Sequence, residues 1–122
     1  METAVVEKYE KEAAERTIEE AQRYLGLKNK EIAAVLEVNQ RTVYRYKNKK
    51  NVPRQRVRAR IEKLRELQYL LHENFEDEDT ANTWVYSPVP LLKERRPIDL
   101  IRRGELDDII SVLAGMYSGS YA

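Results

Sequence analysis

"VLEVNQRTVYRYKNKK", residues 35–50, ends one short apolar pattern, breaks for three residues, and opens a second pattern in which bulky and cationic side chains alternate. Just upstream, Ile32, Ala33 and Leu36 share one face of a helix expected over 29–36. Glu37-Val38-Asn39 interrupts it, and Asn39 is a good N-cap for a second helix over about 40–48. Two helices of this length on a three-residue break have the spacing of a helix-turn-helix.

The side chains sort accordingly. Ala33 is small enough for a close helix crossing, Ile32, Leu36 and Val38 are apolar, and Val43 and Tyr46 lie one turn apart and face inward together. That leaves Gln40, Arg41, Tyr44, Arg45 and Asn48 outside. Arg pairs bidentately with guanine, Gln with adenine, and Tyr offers apolar contact or a hydroxyl, so this set suits a major groove. Lys47, Lys49, Lys50 and the arginines of 54–60 form a cationic rim for phosphates, and Asn29 is expected to meet the backbone at the start of the first helix. The competing reading is a plain three-helix bundle with a basic surface. The turn position usually held by Gly is Glu37, where a positive φ costs roughly 1 kcal/mol, so a slightly different turn is expected.

Charge supports the nucleic-acid reading. Net charge is +1, yet residues 28–65 carry 13 Lys/Arg against 3 Asp/Glu, while 1–27 carry 4 against 7 and 66–122 carry 5 against 11. Cations concentrated in one third of a near-neutral chain are a footprint of polyanion binding in one part and another task elsewhere. With 122 residues and no cysteine, the chain suits one compact unit or two very small ones, without disulfides or thiolate metal sites. No membrane span or signal peptide is visible, so a soluble cytoplasmic protein is expected.

Helix formers dominate, and the whole chain reads as all-α. Residues 3–25 are helical in pattern, with Thr17 and Glu20 fitting a capping box at which a helix restarts, Ile18, Ala21 and Leu25 as its apolar face, and Gly26 as its stop. A long helix follows Pro53 to about Phe75, with Val57, Ile61, Leu64, Leu67, Leu71 and Phe75 as its stripe. "EDEDT" at 76–80 marks a boundary and reads as a solvated helix start. Two parts are therefore expected: 1–75, the DNA-binding part with its connecting helix, and 76–122, a small helical part. The latter has short helices near 77–83, 97–102 and 105–117, and an expected core of Trp84, Tyr86, Leu91, Leu92, Ile98, Leu100, Ile101, Ile109, Ile110, Val112 and Leu113.

The last third is where a family resemblance appears. A basic helix-turn-helix, a long helix, Trp84, Pro88 and Pro90, "PIDLI" at 97–101, Gly104, a final helix and the end Tyr117-Ser118-Gly119-Ser120-Tyr121-Ala122 resemble the Xre/MbcA/ParS antitoxins over most of 17–122. Where family members often have a Gly-rich turn before the Pro-Asp-Leu segment, this chain has Lys93-Glu94-Arg95-Arg96. The resemblance implies an Xre/Cro-like DNA-binding domain and a toxin-binding C-terminal domain. It implies a type II antitoxin whose partner is a RES-domain toxin similar to NAD-degrading enzymes, and which represses its own operon as a homodimer on operator DNA. It places Trp84, Arg102 and Tyr117 to Ala122 against the toxin, with the extreme C-terminus at the entrance of its NAD pocket. Gly119 allows the end to bend, Tyr117 and Tyr121 are flat with polar tips, and the Ala122 carboxylate suits cations that otherwise hold NAD phosphates. The alternative is a stand-alone helix-turn-helix regulator whose C-terminal part dimerises or senses a ligand.

Nothing in the sequence points to catalysis, a cofactor or a metal. His72 stands alone beside an apolar stripe, "EDEDT" lacks the spacing of a calcium loop, and Asp99, Asp107 and Asp108 have no nucleophile beside them.

Overall fold

The computed structural model describes residues 2–120, and these are all-helical: α1 (Glu2–Leu25), α2 (Asn29–Leu36), α3 (Gln40–Lys47), α4 (Gln55–Asn74), α5 (Glu78–Val85), a 3-10 turn (Pro90–Leu92), α6 (Pro97–Arg102) and α7 (Asp107–Ser118). No helix is long and apolar enough to cross a membrane among the described residues.

Local chemistry sets most of the boundaries. The Glu31 carboxylate reaches back to the Lys28 N–H (2.8 Å) and starts α2. Asn39 Oδ1 accepts from the Thr42 N–H (2.8 Å) and hydroxyl (2.9 Å) and starts α3. Between them Glu37 adopts φ 56°, ψ 47°, so the turn has the ordinary left-handed shape despite lacking glycine. Asp77 Oδ1 accepts from the Thr80 N–H (2.7 Å) at the start of α5, and those bonds to Thr80 hold its carboxyl below the usual carboxylate range. Pro97 opens α6 at a position where its missing N–H costs nothing.

Several expectations need correction. α1 is one continuous helix with no restart, because Thr17 is buried within it and its carbonyl accepts from the buried Gln68 side chain on α4 (3.3 Å). Tyr86 and Leu91 are not core. Leu91 projects from the 3-10 turn while its neighbour Leu92 fills the interior. Tyr86 keeps its ring at the surface, where its hydroxyl donates to the Leu25 carbonyl at the end of α1 (3.0 Å), so its polar tip is satisfied there. Trp84 and Ile110 are only partly buried against the core. Leu27, Val35, Val85, Val89 and Leu106 join it instead.

Val38 and Phe75 are also only partly buried; the remaining expected apolar positions are interior, including Ile32, Leu36, Val43 and Tyr46 around the α2–α3 turn and Ile61, Leu64 and Leu67 along α4. Burial raises the Tyr46 phenol above its ordinary range, with Arg54 working the other way. The buried side chains on either side of the 75/76 boundary belong to a single cluster. α4 packs along α7, and α2 packs on α6.

Gly104, after α6, explains the closeness of that second contact. It has φ +75°, and a Cβ there would lie 2.6 Å from the Ala34 carbonyl oxygen of α2. Arg60 of α4 fastens the same junction: Nε donates to the Val35 carbonyl (2.6 Å), Nη2 to the Gly104 carbonyl (3.3 Å), and Nη1 lies 3.5 Å from the Glu37 carboxylate. Val35 is one of the last residues of α2, whose carbonyls have no partner within the helix, so the guanidinium satisfies an otherwise orphaned acceptor.

Candidate nucleic-acid and partner surfaces

α3 is held by its buried side, Val43 and Tyr46, and by the Asn39 cap. Its outer side consequently faces solvent: Gln40, Arg41 and Tyr44 are exposed, the last at 57%. Arg45 is half-buried at the edge of an open groove that also contains Lys50, Arg54 and Arg56. Asn39 and Thr42 at the start of α3 line the same groove, together with Lys11 and Glu37. Donors directed outward and cations at the rim suit a polyanion whose edges carry acceptors.

Other residues expected at that surface also make contacts within the chain, although Asn48, Lys49 and Arg58 remain exposed. Asn29 Oδ1 accepts from Gln22 Nε2 of α1 (2.8 Å) and Lys47 Nζ (3.3 Å), so Asn29 and Lys47 tie α1, α2 and α3 together. Lys49 Nζ pairs with Glu15 of α1 (3.1 Å), and Arg58 pairs with Glu10. Asn48, also exposed, donates its amide to the Tyr44 carbonyl (2.8 Å) and finishes α3. For Asn29, Lys49 and Arg58 the physical reason is common: α1, the acidic N-terminal helix, lies beside the basic segment and supplies their partners, while Lys47 reaches Asn29. Gln40, Arg41, Tyr44, Arg45 and Lys50 keep the outward position expected of them, as do Arg54 and Arg56.

The residues expected to face a partner protein divide in a similar way. Trp84 is packed against Phe75, with ring centroids 5.7 Å apart, and Arg102 sits between Glu31 of α2 (Nε to Oε2, 3.0 Å) and the Tyr86 ring (5.8 Å). Both hold the α5–α6 region to the rest of the chain. Tyr117, Ser118, Gly119 and Ser120 are exposed. Gly119 ends the helix. It takes φ 78° as the cap of α7, with its N–H on the Met116 carbonyl (3.2 Å) and the Ser120 N–H on the Gly115 carbonyl (2.8 Å). Tyr121 and Ala122 lie outside the described residues. Sequence reasoning missed Tyr69 of α4, which is 55% exposed; Glu73 and then Tyr117 raise its phenol above the ordinary range, so the two tyrosines lie on one face. Its position three residues from Glu66 and four from Glu73 was the available signal.

The turn before α6 departs from a glycine-rich one in sequence but not in shape. Lys93 and Glu94 both have positive φ, 59° and 63°, and Val89 bridges to Arg95 across the loop through its N–H and the Arg95 carbonyl (3.1 Å). Arg96 then pairs with Asp99 through two bonds of 2.9 Å at the start of α6, and the Asp99 carboxyl is held below its usual range chiefly by that contact. No group of three or more potential metal ligands occurs among the described residues.

No known family model matches the chain. It is similar to the mycobacterial cidal antitoxin MbcA of Mycobacterium bovis and of Mycobacterium tuberculosis, in each case 32% identical over 107 residues, which span 86% of this chain and 92% of the relative. Its fold is similar to that of a chain in the crystal structure of the M. tuberculosis MbcT–MbcA toxin–antitoxin complex, with a TM-score of 0.59, 30% identity, and coverage of 88% of this chain and 96% of the other. With nearly the whole of both sequences matched at that identity, and the all-helical architecture shared, this protein belongs to the MbcA antitoxin family.

Proposed function

We propose that this antitoxin neutralises a RES-domain, NAD-degrading toxin by covering its active site with the 76–122 part, and represses its own operon through the α2–α3 helix-turn-helix. The observation that carries the toxin half is kinship along almost the whole chain with an antitoxin family one of whose members is solved in a toxin–antitoxin complex. The exposed end beginning at Tyr117 is the segment of this chain that supports a plug, with Tyr121 and Ala122 completing it in the sequence. The DNA half is supported by Gln40, Arg41 and Tyr44, which face solvent from a helix whose other side is locked into the core. Arg45, Lys50, Arg54 and Arg56 supply phosphate contacts beside them. A homodimer on two half-sites fits a reader of this size.

Co-expression with the toxin encoded beside it, followed by growth and NAD measurements, tests the first half. The full chain protects the cells, and the chain lacking 117–122 does not, while both bind the operon's promoter equally. Full protection by the shortened chain rules out the plug. For the second half, Arg41→Ala costs about 1–3 kcal/mol of operator affinity and relaxes base preference at one position. A loss spread evenly over all sequences assigns Arg41 to phosphate instead. A chain that binds the promoter but protects no cell is the stand-alone regulator.

A further inference from the structure

We infer that the Tyr46 hydroxyl donates a hydrogen bond to a backbone phosphate of bound DNA, from the floor of the groove between α3 and the start of α4. Tyr46 has the burial of a core residue: only 4% of it is exposed, and with Val43 it fixes α3 to the interior. Phenylalanine would fill that position equally well, so the oxygen is there for another reason. Buried polar atoms are almost always paired. The Tyr46 oxygen makes no hydrogen bond among the described residues, yet it is not one of their enclosed, unsatisfied side-chain atoms. Its tip is therefore open, and the groove that Tyr46 lines is where it opens. Arg54, on the same groove, is close enough to work against the burial that raises the phenol.

The groove selects what the hydroxyl meets. Lys11 of α1, Arg45, Lys50, Arg54 and Arg56 bring five cations to it, against one carboxylate, Glu37, whose charge is offset by Arg60 at 3.5 Å. An anion with several acceptor oxygens fits such a set, and tyrosine hydroxyls take part in phosphate contacts alongside arginine and lysine. Arg45 follows Arg41 by one turn of α3, so the groove adjoins the exposed face that carries Gln40, Arg41 and Tyr44. A sugar-phosphate strand that leaves that face runs along the groove. The inference rests on the DNA reading above, and it adds an uncharged contact from a residue of the core. Such a contact has its own signature. Each cation that meets a phosphate releases a counterion and steepens the salt dependence of affinity, and a phenol does not.

Tyr46→Phe removes one oxygen and keeps the ring. The unmodified full-length protein, Tyr46→Phe and Arg54→Gln are each titrated with promoter DNA at several salt concentrations, and each is melted. The expected result is that Tyr46→Phe binds roughly tenfold more weakly at every salt concentration, the loss of one hydrogen bond to a charged group. Its salt dependence is unchanged, and its melting temperature stays within about 2 °C of the unmodified protein. Arg54→Gln also binds more weakly, but its salt slope is flatter by about one. Equal affinity of Tyr46→Phe and the unmodified protein overturns the inference. So does a weaker Tyr46→Phe whose stability falls in proportion, which assigns the hydroxyl to the fold, or one whose salt slope flattens. An unmodified protein that does not bind the promoter even at low salt removes the DNA reading and this inference with it. Binding that Arg54→Gln weakens and Tyr46→Phe does not leaves the DNA reading standing and removes the hydroxyl contact alone.

Discussion

Gly104→Ala tests the junction between the α6–α7 turn and α2, and its cost has two separable parts. The added methyl would sit 2.6 Å from the Ala34 carbonyl oxygen, 3.1 Å from its carbon and 3.4 Å from the Val35 Cα, all of them backbone atoms that cannot rotate away. Relief requires the turn to retreat from α2, which also pulls the Gly104 carbonyl off Arg60. Overpacking of this kind costs about 1–3 kcal/mol. The left-handed backbone, φ +75°, adds roughly 1 kcal/mol for any residue with a Cβ. The sum, about 2–4 kcal/mol, is a large share of the 5–15 kcal/mol typical of a folded domain. At about 4 °C per kcal/mol for a chain of this length, the melting temperature falls by roughly 8–16 °C.

Gly119→Ala isolates one part from the other. Gly119 has nearly the same φ, +78°, but nothing lies within 4 Å of where its Cβ would be. It should therefore lose only the conformational cost, about 1 kcal/mol or 4 °C, and less if the end of α7 frays. Thermal unfolding followed by circular dichroism compares the two directly. If Gly104→Ala melts within about 4 °C of the unmodified protein, and no lower than Gly119→Ala, the close approach of the turn to α2 is wrong, and with it the account of why glycine stands at 104.

Asn39→Ala removes the α3 cap and should cost about 1 kcal/mol of stability, with a matching drop in promoter affinity if α3 is the reading helix; chemical denaturation and a gel-shift titration measure the two. Asp99→Asn should destabilise at neutral pH. The sign follows from the lowered carboxyl: a group more acidic when folded than unfolded stabilises above its unfolded value of about 4 and loses that contribution as pH falls through its folded value. Melts of the two proteins should therefore differ at pH 7 and converge in strong acid, and a constant gap across that range assigns the effect to packing. A chain ending at residue 76 should lack cooperative unfolding, because α4 then loses α7 and α2 loses α6. A truncated chain with a sharp transition near that of the whole protein contradicts the single shared core.

What the sequence made legible was local. The α2–α3 pair follows from apolar spacing, the Asn39 cap and a three-residue break, all readable within twenty residues. The stripe of α4 and the Pro97 start of α6 are equally local. The errors share one cause, contact with distant sequence. The same distance hides how expected surface residues are engaged: Asn29, Lys47 and Lys49 carry contacts tied to α1, and Arg102 lies 3.0 Å from Glu31, none of which is readable locally. Tyr86 was assigned to the interior by its apolar ring, while its hydroxyl was satisfied by a carbonyl 61 residues earlier. Positive φ at Lys93 and Glu94 is hidden for a different reason, since the residues that usually announce it are absent; at Glu37 the position is legible, but its cost of roughly 1 kcal/mol points to another turn that the chain does not take.

α2 emerges as the element on which both surfaces depend. On one side it shares the turn with α3 and the Gln22–Asn29–Lys47 contacts with α1. On the other it meets α6 through Glu31–Arg102, through the Arg60 guanidinium, and through the absence of a side chain at Gly104. The Glu31 carboxylate makes the point most directly, since one oxygen caps α2 at the Lys28 N–H and the other faces Arg102. If α3 reads DNA as proposed, a partner that binds the 76–122 part without shifting α6 does not act on α3 through this junction. A partner that does shift α6 acts on both ends of α2, through Arg102 on the capping Glu31 and through Gly104 against Ala34 and the Arg60 guanidinium. Linkage then requires reciprocity: the factor by which that partner changes DNA affinity equals the factor by which DNA changes affinity for the partner.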